Sequence, residues 1–199
     1  DYLISNVDLN FDDTGNVKDD FKINGIIKDG HFVFLKNYKL EKINLKFDIS
    51  KNKYQFKKIN FDFENIKFNS EDILIKKDNQ EFLVKGNFEN DNFDLEKTRN
   101  SKILNKFFKN KFISSLNFNS KNEFNFIVNK KLKLKKINLT SKIDLKKLDI
   151  KKKIPLQKFL PDLKKKISLT NHIINLSFQD GNLKLKGNGS YFIQNESDK

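Results

Sequence analysis

The stretch Lys42-Ile-Asn-Leu-Lys-Phe-Asp-Ile-Ser50 decides how the rest of the chain is read. Apolar Ile43, Leu45, Phe47 and Ile49 alternate with Lys42, Asn44, Lys46, Asp48 and Ser50, the period of two that puts one set of side chains on each face of a half-buried strand. The same alternation returns at Ile59, Phe61 and Phe63, at Phe82, Val84 and Phe88, at Phe124, Phe126 and Val128, and at Ile174, Leu176 and Phe178. Turn signals separate these runs: Asp29-Gly30 and Asp180-Gly181, whose glycines accept positive φ, and the polar clusters Lys51 to Lys53 and Lys77 to Gln80. Strands joined by such short connections pair antiparallel. The pattern predicts an all-β chain, an elongated and curled antiparallel sheet with one or two short helical inserts. Leu95, Ile103, Leu104, Phe107 and Phe108 give residues 94–110 a helical spacing. Pro155 and Pro161 keep residues 151–166 out of a central strand and favour a loop or short helix there.

Two short units recur. Leu40-Glu-Lys-Ile43-Asn-Leu45, Phe56-Lys-Lys-Ile59-Asn-Phe61 and Leu134-Lys-Lys-Ile137-Asn-Leu139 each carry apolar residues at positions one, four and six. The three-residue step breaks strict alternation, so each copy is expected to hold a β-bulge that resets which face is apolar. A second unit closes runs with glycine: Phe21-Lys-Ile23-Asn-Gly25, Phe82-Leu-Val84-Lys-Gly86 and Leu183-Lys-Leu185-Lys-Gly187. Glycine at a strand position permits a bend or a close approach.

Composition narrows the function classes. Of 199 residues, 37% are hydrophobic and 33% charged, and 21 are Phe, which is too aromatic for a disordered chain. The formal charge of +14 invites a nucleic-acid reading. Against it, Arg99 is the only arginine, and base readout relies on the bidentate guanidinium fork. Ala is absent while Lys, Asn, Ile and Phe abound, the mark of an AT-rich coding sequence, so no nucleic-acid partner is expected. Asp1 leads directly into the strand-like run Tyr2 to Phe11, and the chain reads as one continuous segment, 1–199, of a larger protein. No run approaches the roughly 20 apolar residues of a membrane-spanning helix.

Catalytic signatures are not visible. His31 and His172 have no neighbour at a metal-ligand spacing. The run Asn10 to Asn16 resembles a calcium loop only in part, since a loop placing Gly15 sixth would put Phe21 where a bidentate Glu is required. A hairpin loop is the better reading. The acidic pairs Asp12-Asp13, Asp19-Asp20 and Glu71-Asp72 read as solvated loops, and Lys151 to Lys153 with Lys164 to Lys166 as a solvated face. No enzyme, no cofactor and no metal are expected. What remains is the apolar face, with candidate lining residues Ile43, Leu45, Phe47, Phe61, Phe63, Phe82, Val84, Phe124, Phe126, Leu176 and Phe178. It either packs on a second sheet as a dry sandwich core or curls into a groove that takes up acyl chains.

The repeated [LF]-x-K-I-N-[LF] units, together with the glycine-ended units such as Phe82 to Gly86, resemble the AsmA-like superfamily of bacterial envelope proteins over about Phe21 to Tyr191. That resemblance implies a repeating β-groove, non-enzymatic, holding or conducting phospholipid acyl chains between inner and outer membranes or supporting outer-membrane assembly. It further implies a periplasmic location, an inner-membrane anchor outside these residues, and adjoining groove repeats of the same chain as partners. The alternative from another class is a structural or adhesive β-sandwich domain with a dry protein core, and a third is a lipid-dependent enzyme.

Overall fold

In a computed structural model of the chain, which describes residues 1–34, 38–98, 113–131, 133–151 and 166–194, ten strands follow one another in a single sheet. They are β1 (Tyr2–Asp8), β2 (Lys22–Phe34), β3 (Tyr38–Ser50), β4 (Lys53–Phe63), β5 (Ile66–Asp78), β6 (Glu81–Asp94), β7 (Ile113–Asn129), β8 (Leu134–Lys151), β9 (Lys166–Gln179) and β10 (Asn182–Gln194). Spatial order equals chain order, and every pairing is antiparallel. Strands touch only their neighbours in sequence, so β1 does not meet β10 and the sheet is not closed into a barrel. The accessible surface is 14720 Å², whereas a compact protein of 23.5 kDa would expose about 9,800 Å². A curled single layer explains the excess.

The expected helical insert at 94–110 lies mostly outside the described residues. Its first residues end β6 and enter a turn, in which the Thr98 N–H donates to the Asp94 carbonyl at 3.2 Å. Of the segment 151–166 only the ends are described, Lys151 and Lys166, which pair across β8 and β9. Among the described residues there is no helix.

Asp180-Gly181 forms the expected two-residue turn, with φ of 49° and 80°. Glu64-Asn65, not singled out in the sequence, does the same at 52° and 65°, the primed geometry that matches strand twist. Asp29-Gly30 is not a turn. It lies inside β2, where Asp29 at φ 52° opens a bulge and the register against β3 shifts. An Asp-Gly pair supplies the positive φ that both a tight turn and a bulge need, and the flanking apolar runs continue through it. Glu71-Asp72 likewise lies within β5, beside a register shift, and not in a loop. By contrast, the loop Asn10 to Asp20 is built as a turn: Asp12 Oδ1 accepts from the Thr14 hydroxyl at 2.7 Å and from the N–H groups of Thr14 and Asn16 at 2.9 Å. Those donors, the Thr14 hydroxyl foremost, hold the Asp12 carboxyl below the usual carboxylate range.

The three [LF]-x-K-I-N-[LF] copies share one backbone device. Their third residues, Lys42, Lys58 and Lys136, all adopt positive φ, at 53°, 51° and 43°. Each is the extra residue at a register shift, on β3, β4 and β8 in turn. The bulge returns positions one, four and six to a common face, as the broken alternation requires. The asparagine of the unit has its own purpose. Asn44 Oδ1 accepts the N–H of bulged Asp29 at 3.1 Å, while its Nδ2 donates to the Lys42 carbonyl at 2.8 Å and to Asn60 Oδ1 at 3.0 Å. Asn87 serves the Glu71 N–H at 3.0 Å and Asn119 the Asn92 N–H at 2.7 Å in the same way. Asparagine thus satisfies backbone donors that a bulge removes from the ladder. Substituting Lys136 by Val is expected to cost about 1–2 kcal/mol, because a β-branched side chain clashes at positive φ, while Lys136→Gly is neutral or better. Urea unfolding checks this, and equal losses from both would place the demand elsewhere than in φ.

Candidate functional site: an apolar sheet face

Register assigns each side chain to a face, since residues directly opposite across a strand pair point the same way. One row runs Gly25, Phe47, Phe56, Ile73, Gly86, Phe124, Leu139, Phe178 from β2 to β9. The next runs Ile23, Ile49, Tyr54, Ile75, Val84, Phe126, Ile137. All eleven residues singled out in the sequence lie on this face. Phe61 stacks on Phe68 at 5.4 Å between ring centroids, Phe68 meets Phe88 at 6.2 Å, Phe88 meets Phe124 at 6.1 Å, and Phe124 stacks on Phe126 at 5.7 Å. A continuous ring-to-ring path therefore crosses β4 to β7. Lysines and acids dominate the other face, with pairs such as Lys42–Asp62 at 2.7 Å and Lys121–Glu89 at 3.3 Å, although Leu74, Leu83 and Ile127 also lie on it. Hydrogen bonding to Asp62 raises the Lys42 ammonium above the ordinary lysine value.

Few of these apolar side chains are sealed. Ile43, Leu45, Phe61, Phe63, Phe82, Val84, Phe124, Phe126, Leu176 and Phe178 are half-buried, and only Phe47 is buried. Phe47 owes this to glycine: a Cβ on Gly25 would fall 2.6 Å from the Phe47 ring. Toward β2 the face dips into an apolar hollow of about 390 Å³, where Ile43, Leu45 and Phe61 are joined by Ile27, Leu40, Phe56, Ile59 and Ile73. Two larger hollows, of about 640 and 720 Å³, open on the polar face between lysines, glutamates and asparagines. They hold none of the candidate ring path, although Ile59 and Ser70 border the first and Asn122, Ser141 and Leu176 the second. Phe56, Phe68 and Phe88 belong to the site and were not among the eleven candidates. Their signal was present, in the first position of a repeat unit for Phe56 and in alternation with Ile66 and Val84 for the others.

The histidines do not gather. Nδ1 of His31 pairs with Asp1 at 2.9 Å on an exposed surface, and Nδ1 of His172 lies 3.0 Å from the Thr170 carbonyl. Among the described residues no three His, Cys, Asp or Glu side chains cluster as metal ligands.

The fold and face define a class: a single-layer antiparallel meander with one apolar side that no second layer of described residues covers. No family model, no curated protein and no solved structure matches the chain.

Proposed function

We propose that this chain is a non-enzymatic groove segment of an AsmA-like envelope protein, and that its apolar face holds phospholipid acyl chains. The observation that carries the reading is the ring-to-ring row from Phe61 to Phe126, half-buried on a face that no second layer of described residues covers. A contiguous apolar patch of that length is costly in water and marks a surface that meets hydrocarbon or protein. Strands such as β3, at about 3.3 Å per residue, are long enough to run beside a whole acyl chain. The [LF]-x-K-I-N-[LF] units support the family. In this reading the headgroups stay hydrated at the rim, lipids move without bond chemistry, and the segment sits in the periplasm, tethered to the inner membrane by residues outside it. Adjoining groove repeats continue the trough.

The test places a photoreactive phenylalanine analogue at Phe126 and, as control, at Lys142 on the opposite face. Lipid is expected to crosslink from position 126 only. Phe126→Asp should lower lipid recovered with the purified chain by tenfold or more while circular dichroism keeps its strand signature, since a carboxylate on a half-exposed face can hydrate. Crosslinks from position 126 to protein instead of lipid, with no lipid in the purified chain, would overturn the groove and favour the dry sandwich.

A further inference from the structure

Across the middle of the apolar face runs a polar ladder that neither alternation nor the acyl-chain reading explains. Asn90 and Ser120 are opposite each other on β6 and β7, and Asn122 and Ser141 on β7 and β8. All four are buried, as is Ser70 on β5, two residues along from the position opposite Asn90. The hydrogen bonds have a direction. Asn122 Nδ2 donates to the Phe88 carbonyl at 3.1 Å and to Ser120 Oγ at 2.8 Å, and Asn122 Oδ1 accepts from Ser141 Oγ at 2.6 Å. Donation to a carbonyl settles which end of the Asn122 amide is nitrogen. Ser120, having accepted from Asn122, gives its own proton to Asn90 Oδ1. Asn90 is thereby committed as an acceptor, and its amide donors are left over. Among the described residues, neither Asn90 Nδ2 nor Ser70 Oγ has a hydrogen-bond partner, although Asn90 is 4% and Ser70 5% exposed.

Two unspent donors, each with less than 1 Å² of accessible surface, lie beneath the side chains of this face, so an acceptor arriving with a ligand meets them only as the flanking side chains shift aside. Phe68, Phe88, Phe118 and Ile143 flank the ladder on the same face, while Lys121 and Lys142 lie on the other. A phosphate would lose its hydration there without gaining a cation, whereas a neutral carbonyl loses little. We propose that the Ser70–Asn90 end of the ladder is a binding site for the ester carbonyl of an acyl lipid, which sets how far the lipid slides along the trough. The site thus selects ester-linked glycerolipid over bare hydrocarbon chains, and it rests on the acyl-chain reading above.

The experiment compares retention of a diacyl phosphatidylcholine and of its dialkyl ether analogue, equal in chain length, by the full chain. One hydrogen bond to a buried donor corresponds to about threefold to tenfold in favour of the ester. Asn90→Leu and, separately, Ser70→Ala should bring that ratio toward one while ether-lipid retention stays at the wild-type level. In the unsubstituted protein, a ¹³C-labelled ester carbonyl should show its stretching band shifted to lower frequency on binding. That measurement stands even where Asn90→Leu fails to fold. Equal retention of ester and ether by the wild type, with an unshifted carbonyl band, would overturn the proposal and assign the donors to water, leaving the trough itself intact. Retention of neither lipid would remove the trough and the site together.

Discussion

Replacing Phe93 with alanine is expected to destabilise the sheet by about 3–5 kcal/mol, the range for truncating a buried phenylalanine. Phe93 is 4% exposed and stacks on Phe118 at 4.5 Å. With Ile66 and Leu95 it forms a cluster of buried apolar side chains, and Phe68, Ile113 and Leu116 pack against it. A single layer has few such places where side chains are enclosed, so each carries more of a stability that totals only about 5–15 kcal/mol for a typical domain. Phe126→Ala, on the half-exposed ring path, should cost much less. Urea unfolding of the two variants makes the comparison, and a loss below about 1 kcal/mol at Phe93 would show that the cluster is not a packed one.

The second large effect runs against strand propensity. Valine is favoured in strands and glycine disfavoured, yet Gly86→Val is expected to destabilise by about 1–3 kcal/mol through overpacking. A Cβ at Gly86 would stand 2.7 Å from the Asp72 carbonyl oxygen and 3.0 Å from Ile73 Cγ1, and a backbone oxygen cannot swing aside. Gly187 closes the same kind of unit, but its Cβ would meet Ile174 Cγ1 at 3.5 Å, an ordinary contact. Gly187→Val should therefore be neutral or stabilising by up to about 1 kcal/mol. Thermal unfolding of both variants distinguishes a steric demand at Gly86 from a general intolerance of the repeat, which would depress both.

Much of this was legible in the residues. Alternation located the strands and put the candidate lining residues on one face, because a period of two leaves no other arrangement once the bulges are counted. The bulges were legible too, as a three-residue step, although the role of Asn44 in satisfying the Asp29 N–H was not, since it depends on which strand lies alongside. Asp29-Gly30 misled because its local chemistry serves a turn and a bulge alike. The burial of Phe47 could not be foreseen from β3, as it arises from a glycine on β2. Least visible was the ladder. Asn90 continues the parity of Phe88, and Ser120 and Asn122 that of Phe124, but a polar residue in an alternating run reads as an interruption until register shows it facing its partners.

Spatial order identical to chain order has a consequence for how such a protein can change in size. Each strand answers only to its two neighbours, so stability accumulates by nearest-neighbour terms, as in repeat arrays. Loss of the outermost hairpin subtracts its own terms and leaves the interior unaltered. The permissible increment is nevertheless two strands and not one. Removing a single strand would bring parallel neighbours together across a turn too short for a crossover, whereas removing an adjacent pair restores direction. Register imposes the same parity: the extra residue at Lys42 on β3 shifts the ladder against β4, and the extra residue at Lys58 returns it. Inheritance of this architecture is thus quantised in hairpins, and tandem duplication of β3 with β4 is the smallest step that would lengthen it without turning the apolar side outward.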